Sequence, residues 1–423
     1  MPHAGPRRTI PPPAERPAPT RRWPLQVLAG AAVIGGIFLV MRWLGNGGDA
    51  ADGVPTAGST RPAAVEAPGE MRSSVERPPA ASPEAPDARF LARLQRNSAR
   101  RLLRDLPLSP DVADLVAAAQ LQQAAALLEG RSSDGDRNAT VVLTQLQLLC
   151  ESPDAVRRQA GEPAPMAGSL DSELARSAPV PADLRRRIEA SVQADAEART
   201  RLERSCRDTR FNASAIEQRL RRAAEAGHEA SLWTLGRYFD DSEQRNRHWL
   251  SAAMLGYPAA QASLAEQLLE ESLQGDRRNR GRMNFWLDAA AKHSPQVKAK
   301  LGECILNGCN AQPPDSGAAV SLLREATLLG ELAAFDALAS VSRSEPLAPS
   351  EEELYGLQAF LQRLNETGCY GATTYPVAAL KSLRSLREIG RGLSPHALQD
   401  AEQLGAARWH NHGAAARRAQ HCE

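Results

Sequence analysis

The residues best placed to do covalent chemistry in this 423-residue chain are six cysteines: Cys150, Cys206, Cys304, Cys309, Cys369 and Cys422. In an oxidising compartment they are expected to pair as structural disulfides. Sequence alone does not choose among the connectivities open to six cysteines. Adjacent pairing is the simplest: Cys150 with Cys206, Cys304 with Cys309, and Cys369 with Cys422. Cys304 and Cys309 fall at a helix end and in the loop after it (ECILNGCN), within reach of a short staple. A redox-active pair would more typically be Cys-x-x-Cys at a helix start. His410-Asn411-His412, with His421 and Cys422, is the one local group resembling metal ligands. On a helix, however, His-x-His points its two rings to different faces, and no carboxylate follows at ligand spacing. No Gly-x-Ser-x-Gly, Walker loop, Gly-x-Gly-x-x-Gly or His-Glu-x-x-His occurs. Acidic residues lie at helix spacing beside Arg, as in Glu217/Arg221 and Asp195/Arg199, the pattern of solvated faces. The chain is therefore expected to carry no catalytic residue, cofactor or metal.

What, then, do the elements position? Aromatics make up 4% of the chain, and its apolar content is mainly Ala and Leu, which suits closely stacked helices. No alternating run of β-branched residues is long enough for a strand. The expected class is all-α, an α-solenoid of helix–turn–helix repeats preceded by one transmembrane helix and a disordered linker. Fifty-one basic residues against 50 acidic ones leave a formal charge of +1, without the one-sided field of a nucleic-acid protein.

Residues 1–22 are a basic, Pro-rich tail expected to be disordered. Residues 23–44 follow as the membrane span. Leu25 to Met41 carries no charge, Trp23 and Trp43 sit at the ends, and Pro24–Leu44 would reach roughly 31 Å as helix. Arg7, Arg8, Arg16, Arg21 and Arg22 precede it, against Arg42 and Arg61 just after. The positive-inside rule places the N-terminus in the cytoplasm and the remainder outside, which in a Gram-negative cell is the periplasm. A cleaved signal peptide is the alternative, but the tail is long and Gly48-Asp49-Ala50 is a poor cleavage site. A core helix is disfavoured because Pro-rich coil flanks the segment on both sides. Residues 45–86, rich in Gly, Ala and Pro, are expected to be a disordered tether spanning roughly 35 Å.

An N-terminal helical region is expected over 87–210. Ser109-Pro110-Asp111 opens a helix closing near Gly130, another run ends at Cys150, 152–181 is irregular, and Pro181 to Cys206 is a long amphipathic helix. Residues 211–345 hold a repeat, in the segments LRRAAEAGHEASLWTLGRYF, WLSAAMLGYPAAQASLAEQL, WLDAAAKHSPQVKAKLGECI and LREATLLGELAAFDALASV. Turn positions fall at Gly227, Gly256, His293 and Gly330, at intervals of 29, 37 and 37 residues. Such periods mean stacked helical hairpins, none able to bury its apolar face alone. Ala223-Ala224, Ala252-Ala253 and Ala289-Ala290 are small where the first helix touches the second. Ala230, Ala259 and Ala262 begin the second helix with small contacts, and Leu235, Leu264, Leu301 and Leu338 anchor it. Trp249 and Trp286 are expected to fill the space between units. Residues 346–423 are expected to cap the stack, with a capping box at Ser350–Glu353 and a further helix from Ser394-Pro395.

The pattern resembles the Sel1-like repeat, a relative of the tetratricopeptide repeat, over roughly residues 215–340. The Ala-Ala-x-x-Gly step, the small residue of the second helix and the pairs Leu235-Gly236 and Leu301-Gly302 carry the resemblance. His293 for the turn Gly, Ala265 for a second-helix Gly, and Thr327 for an Ala depart from it. The resemblance implies a bacterial adaptor whose concave face binds protein partners in envelope assembly or signalling. Disulfide-braced relatives place pairs across one hairpin, and the spacing here differs. A second reading is a protein that binds peptidoglycan or another polysaccharide, stacking sugars on Trp233, Tyr238, Tyr257 or Phe335. A wall-active hydrolase is the least supported.

Overall fold

Several helices begin where the sequence supplies a side-chain cap, as at Asp136, Asn212, Ser294, Asp315, Ser350 and Ser394. The computed structural model describes residues 88–422, apart from 104–105, 160–165, 167, 238–241, 275–277, 310–313 and 342–346. The expected tail, span and tether lie outside the described residues. Among the described residues no helix is long and apolar enough to cross a membrane.

The N-terminal region comprises α1 (Ala88–Leu102), α2 (Pro110–Ala117), α3 (Leu121–Ser133), α4 (Arg137–Glu151), the short α5 (Pro153–Gln159) and α6 (Leu170–Arg176), and the long α7 (Ala182–Asp208). One expected helix from Pro110 to Gly130 is in fact two, because Ala119 takes the left-handed conformation at φ +56°. There Gln120 N donates to Leu115 O at 2.8 Å, closing a helix end of the kind that glycine usually makes. The break lets Val112 and Val116 of α2 and Leu121 and Leu128 of α3 enter one core from two directions, beside Leu143 and Leu146 of α4.

The repeat hairpins are α8/α9 (Ala213–Glu225, Glu229–Leu235), α10/α11 (Ser242–Met254, Pro258–Leu273), α12/α13 (Arg280–Ala291, Pro295–Leu306) and α14/α15 (Ser316–Leu328, Leu332–Ser340). Three turns use glycine with positive φ: Gly227 at +78°, Gly256 at +92° and Gly330 at +88°. In each, the next residue's N–H reaches back five residues, as Tyr257 N does to Ala252 O at 3.0 Å. His293 cannot adopt that conformation cheaply. Its turn stays right-handed, and Ser294 N instead bonds Ala290 O, four residues back, at 2.9 Å. The anchors Leu235, Leu264, Leu301 and Leu338 are buried, each contributing about 1.5–3 kcal/mol by removal from water. In the third hairpin Ala290 and Ala291 are buried, while Ala289 is only half-buried.

The Leu-Gly pair has a steric origin. A Cβ on Gly236 would lie 2.5 Å from Trp249 Nε1, and one on Gly302 would lie 2.9 Å from Leu323 Cγ. Each glycine thus admits the first helix of the next hairpin. Trp249 uses the space to donate from Nε1 to Trp233 O at 3.2 Å. Trp286 is buried within the same core cluster that contains Leu264 and Leu301.

The final helices are α16 (Glu351–Glu366), α17 (Gly371–Gly390) and α18 (Pro395–Ala419). Ser350 and Ser394 cap α16 and α18 by accepting from Glu353 N and Ala397 N, each at 3.2 Å. The fourth hairpin's turn is their seat: Tyr370 Oη donates to Gly330 O at 2.8 Å and Gln420 Nε2 to Leu329 O at 3.0 Å. Burial pushes the Tyr370 phenol up, so it stays neutral and can donate.

This last group also packs on the first. α4 joins α8 and α9 to the N-terminal region, while α17 packs on α1 and α7. The succession of contacts therefore closes into a ring. Phe90 and Leu94 of α1 and Ile188 of α7 share a core with Ala372, Tyr375 and Leu380 of α17. Tyr370 precedes α17 without capping it, and Ser98 Oγ accepts from Ala372 N at 2.8 Å from across the junction. Asp195, expected on a solvated face, is instead buried here, with Arg199 half-buried beside it. Asp195 accepts from Arg199 Nε and from Thr373 Oγ1 of α17, both at 2.8 Å, because closure covers that face of α7.

Candidate binding cleft

Ring closure leaves a central cleft of about 1030 Å³. Its floor is built from the first turns of successive second helices. In the first three hairpins the residue three places after the turn lines it: Ala230 after Gly227, Ala259 after Gly256, and Gln296 after His293. Ala262 and Ser263 continue the floor along α11. Ala259 and Ala262 make the small core contacts expected of them and line the cleft as well. More of the wall comes from both ends of the described chain, Arg101, Leu106 and Pro107 at and beyond the end of α1, and Ala419, Gln420 and His421 at and beyond the end of α18.

The lining mixes aromatic faces with hydrogen-bonding groups. Trp233 Nε1 donates to Ser263 Oγ at 3.1 Å, which ties α9 to α11. Arg237 lies 3.8 Å over the Trp233 ring and donates to Gln145 Oε1 at 3.0 Å. Trp233 and Tyr257 are in tilted contact at 5.6 Å. Gln267, Glu270, Ser294 and Gln296 add polar groups, while Glu266 accepts from Lys300 at 2.8 Å. Such a surface suits an extended polypeptide, which needs apolar contact and main-chain hydrogen bonding together.

Of the four aromatics expected to stack sugars, two are withdrawn from solvent. Phe335 is 3% exposed in the core, and Trp233 is 2% exposed with a face under Arg237. Tyr257 is half-buried at the cleft, and Tyr238 lies outside the described residues. At the edge of the cleft, His228 Nδ1 is 2.8 Å from Ser231 Oγ and Nε2 is 3.1 Å from Asn138 Oδ1, linking α9 to α4. Burial is the main cause holding the His228 imidazole below its ordinary pKa.

All six cysteines are paired, Cys150–Cys206, Cys304–Cys309 and Cys369–Cys422, with Cα–Cα distances of 5.1, 5.0 and 5.2 Å. These separations are ordinary for disulfides. The first ties α4 to α7. The second staples the end of α13, where Cys309 N also donates to Cys304 O at 2.9 Å. The third fixes the segment after α18 to the turn before α17, and so fixes Gln420 and His421 as cleft wall. His410 is exposed on α18, His412 is half-buried, and Cys422 is spent in its disulfide.

Sequence reasoning did not find Ser98, Asn97 or the C-terminal wall, since their partners are remote in the chain. The one available signal was the small residue three places after the first two turns, Ala230 and Ala259.

No family model matches the chain, and no curated protein matches it. Among solved structures, the chain is similar to the crystal structure of c5321, a protective antigen present in uropathogenic Escherichia coli strains displaying an SLR fold. The two share 16% identity at a TM-score of 0.38, over 78% of this chain and 71% of that one.

Proposed function

We propose that this protein is a membrane-tethered periplasmic scaffold that binds a segment of a partner polypeptide in the central cleft of its helical ring. The observation that carries the reading is the cleft itself, floored by one position of three successive repeats. It is lined by Tyr257, by amide and hydroxyl side chains such as Ser263, Gln267 and Gln296, and by charged groups of both signs, among them Arg237, Glu266 and Glu270. The tether and its direction rest on the apolar segment 23–44 and the arginines before it. Three disulfides favour an oxidising compartment. A role in envelope assembly or signalling rests on the repeat pattern.

The test is crosslinking and affinity purification of the full chain from membranes, beside an Ala262→Trp variant that fills the cleft. Wild type should recover discrete proteins that the variant loses, with the variant's circular dichroism unchanged. Recovery of nothing above background would overturn the reading. Co-sedimentation with purified peptidoglycan, equally lost in the variant, would replace it with the polysaccharide reading.

A further inference from the structure

The hairpins are joined to one another by apolar packing with a polar bond or two at each step, such as Trp233–Ser263 and Lys300–Glu266, but the ring is closed by a denser polar set. Trp233, Ala252, Leu264, Met283, Trp286 and Leu301 share one continuous core from α9 to α13. The junction of α1, α6 and α7 with α17 has an apolar centre too, yet it is laced with polar bonds between remote residues. Asn97 Nδ2 donates to Gly368 O at 2.9 Å, Arg384 Nη1 to Glu173 Oε2 at 3.2 Å, and Arg387 Nη1 to Ser177 O at 2.8 Å. The Ser98–Ala372 and Thr373–Asp195 bonds cross the same junction. Interfaces of this polar kind are typical of parts that separate, not of a single core.

Three further observations point the same way. Asn97 Oδ1 and Ser177 Oγ have no hydrogen-bond partner among the described residues, although both side chains are 1% exposed. Opening the junction would hydrate them and remove that cost. A cavity of about 270 Å³ separates Arg100, Leu103 and Leu108 from Arg418, His421 and Cys422, so the C-terminal segment is not close-packed on the α1–α2 connection. Finally, the disulfides brace each side without crossing. Cys150–Cys206 holds α7 to α4, Cys369–Cys422 holds the C-terminal segment to the turn before α17, and none links α1 or α7 to α17.

We infer that this junction is a clasp, which opens as a unit while the repeats stay folded and thereby widens the central cleft along the wall that follows α1. Arg101 in the last turn of α1 and Leu106 and Pro107 after it form that wall, so release of the helix moves it. Local opening of one contact unit at a free energy below that of global unfolding is the general behaviour of such junctions. That a partner polypeptide enters through the opened clasp rests on the function proposed above. The opening itself does not.

Two measurements on the full chain in detergent, with disulfides oxidised, test it. The first is hydrogen exchange under native conditions. Peptides covering α1 and the first half of α17 should exchange together, on the order of tenfold or more faster than those of α11 to α14. Ser98→Ala removes the remote cap, and isosteric Thr373→Val removes the bond to Asp195. Each should speed the junction about fivefold and leave α11 to α14 unchanged. The second places a single reactive thiol in the cleft as Ala262→Cys, since the native cysteines are paired. A small maleimide should label it at the same rate with or without Ser98→Ala, whereas a maleimide on a bulky polyethylene glycol should label about fivefold faster with it.

Junction exchange at the rate of the repeats would overturn the clasp. So would variants that accelerate both regions equally, or bulky labelling indifferent to Ser98→Ala. A partner found to bind elsewhere would leave both rates as expected and count against the proposed function alone.

Discussion

Replacing Gly236 by alanine should destabilise the ring although it adds one methyl group. The new Cβ would lie 2.5 Å from Trp249 Nε1, 2.6 Å from Trp249 Cδ1 and 3.3 Å from Arg245 O. Gly236 already has φ −57°, so alanine strains nothing in the backbone, and its position after α9 gives little helix propensity in return. Trp249 must therefore move, which breaks its bond to Trp233 O and shifts α10 against α9. A lost hydrogen bond costs about 1 kcal/mol and overpacking about 1–3 kcal/mol, about 2–4 kcal/mol together. Urea unfolding of the full chain in detergent, followed by tryptophan fluorescence with disulfides intact, reads this directly. At a slope of about 3 kcal/mol per molar, the midpoint should fall by about 1 M. Trp249→Phe should relieve the clash, so the double variant should be more stable than additivity predicts by about 1 kcal/mol or more. A midpoint within about 0.2 M of wild type, or strict additivity, would refute the steric origin of the Leu-Gly pair.

Gly302→Ala meets Leu323 Cγ at 2.9 Å but sits within α13, where alanine is the better helix former. Its net loss should be about 1 kcal/mol in the same assay, smaller than at Gly236. The disulfides should rank by the loops they close. Removal of Cys304–Cys309, separated by 5 residues, should cost about 2 kcal/mol by chain entropy, against about 4 kcal/mol for each of the two with separations of 56 and 53. Paired Cys→Ala variants in denaturant titration check the order. Acid should weaken the fold partly through His228. Its folded pKa is lowered by burial, so its contribution is complete above the ordinary value of about 6.5 and is lost as pH falls below it. His248 is shifted in the same direction, chiefly by burial, and adds to the effect. His228→Gln should therefore reduce, without abolishing, the drop in unfolding midpoint between about pH 7.5 and about pH 5.5. An identical drop in wild type and variant would remove His228 from the explanation.

The repeats were legible because their constraints are local. A glycine three residues beyond an Ala-Ala pair marks a left-handed turn, and a Leu-Gly pair marks close helix approach, since few other residues meet either demand. His293 shows the limit, because its departure was visible but the right-handed turn it imposes was not. Ala119 was illegible for the converse reason. It adopts a glycine conformation without being glycine, so nothing at that position announces the break between α2 and α3. α17 was hidden by Pro376, which reads as a helix breaker and lies inside the helix past its first turn, where it forfeits one backbone hydrogen bond. Ring closure left no local trace at all. Ser98 and Ala372 are 274 residues apart, and neither residue type signals the other. The cleft was half legible, with Trp233 and Tyr257 noticed as aromatics, but their arrangement depends on closure.

The most direct measurement is site-specific photocrosslinking in living cells, with a photoreactive residue placed in turn at Gln267, Gln296 and Ser263 in the cleft and at Phe285, 61% exposed on α12. A scaffold that binds a polypeptide through the ring's centre should give the same discrete protein adduct from all three cleft positions and none from Phe285. Adducts from Phe285 alone, or none from any position, would contradict binding in the cleft.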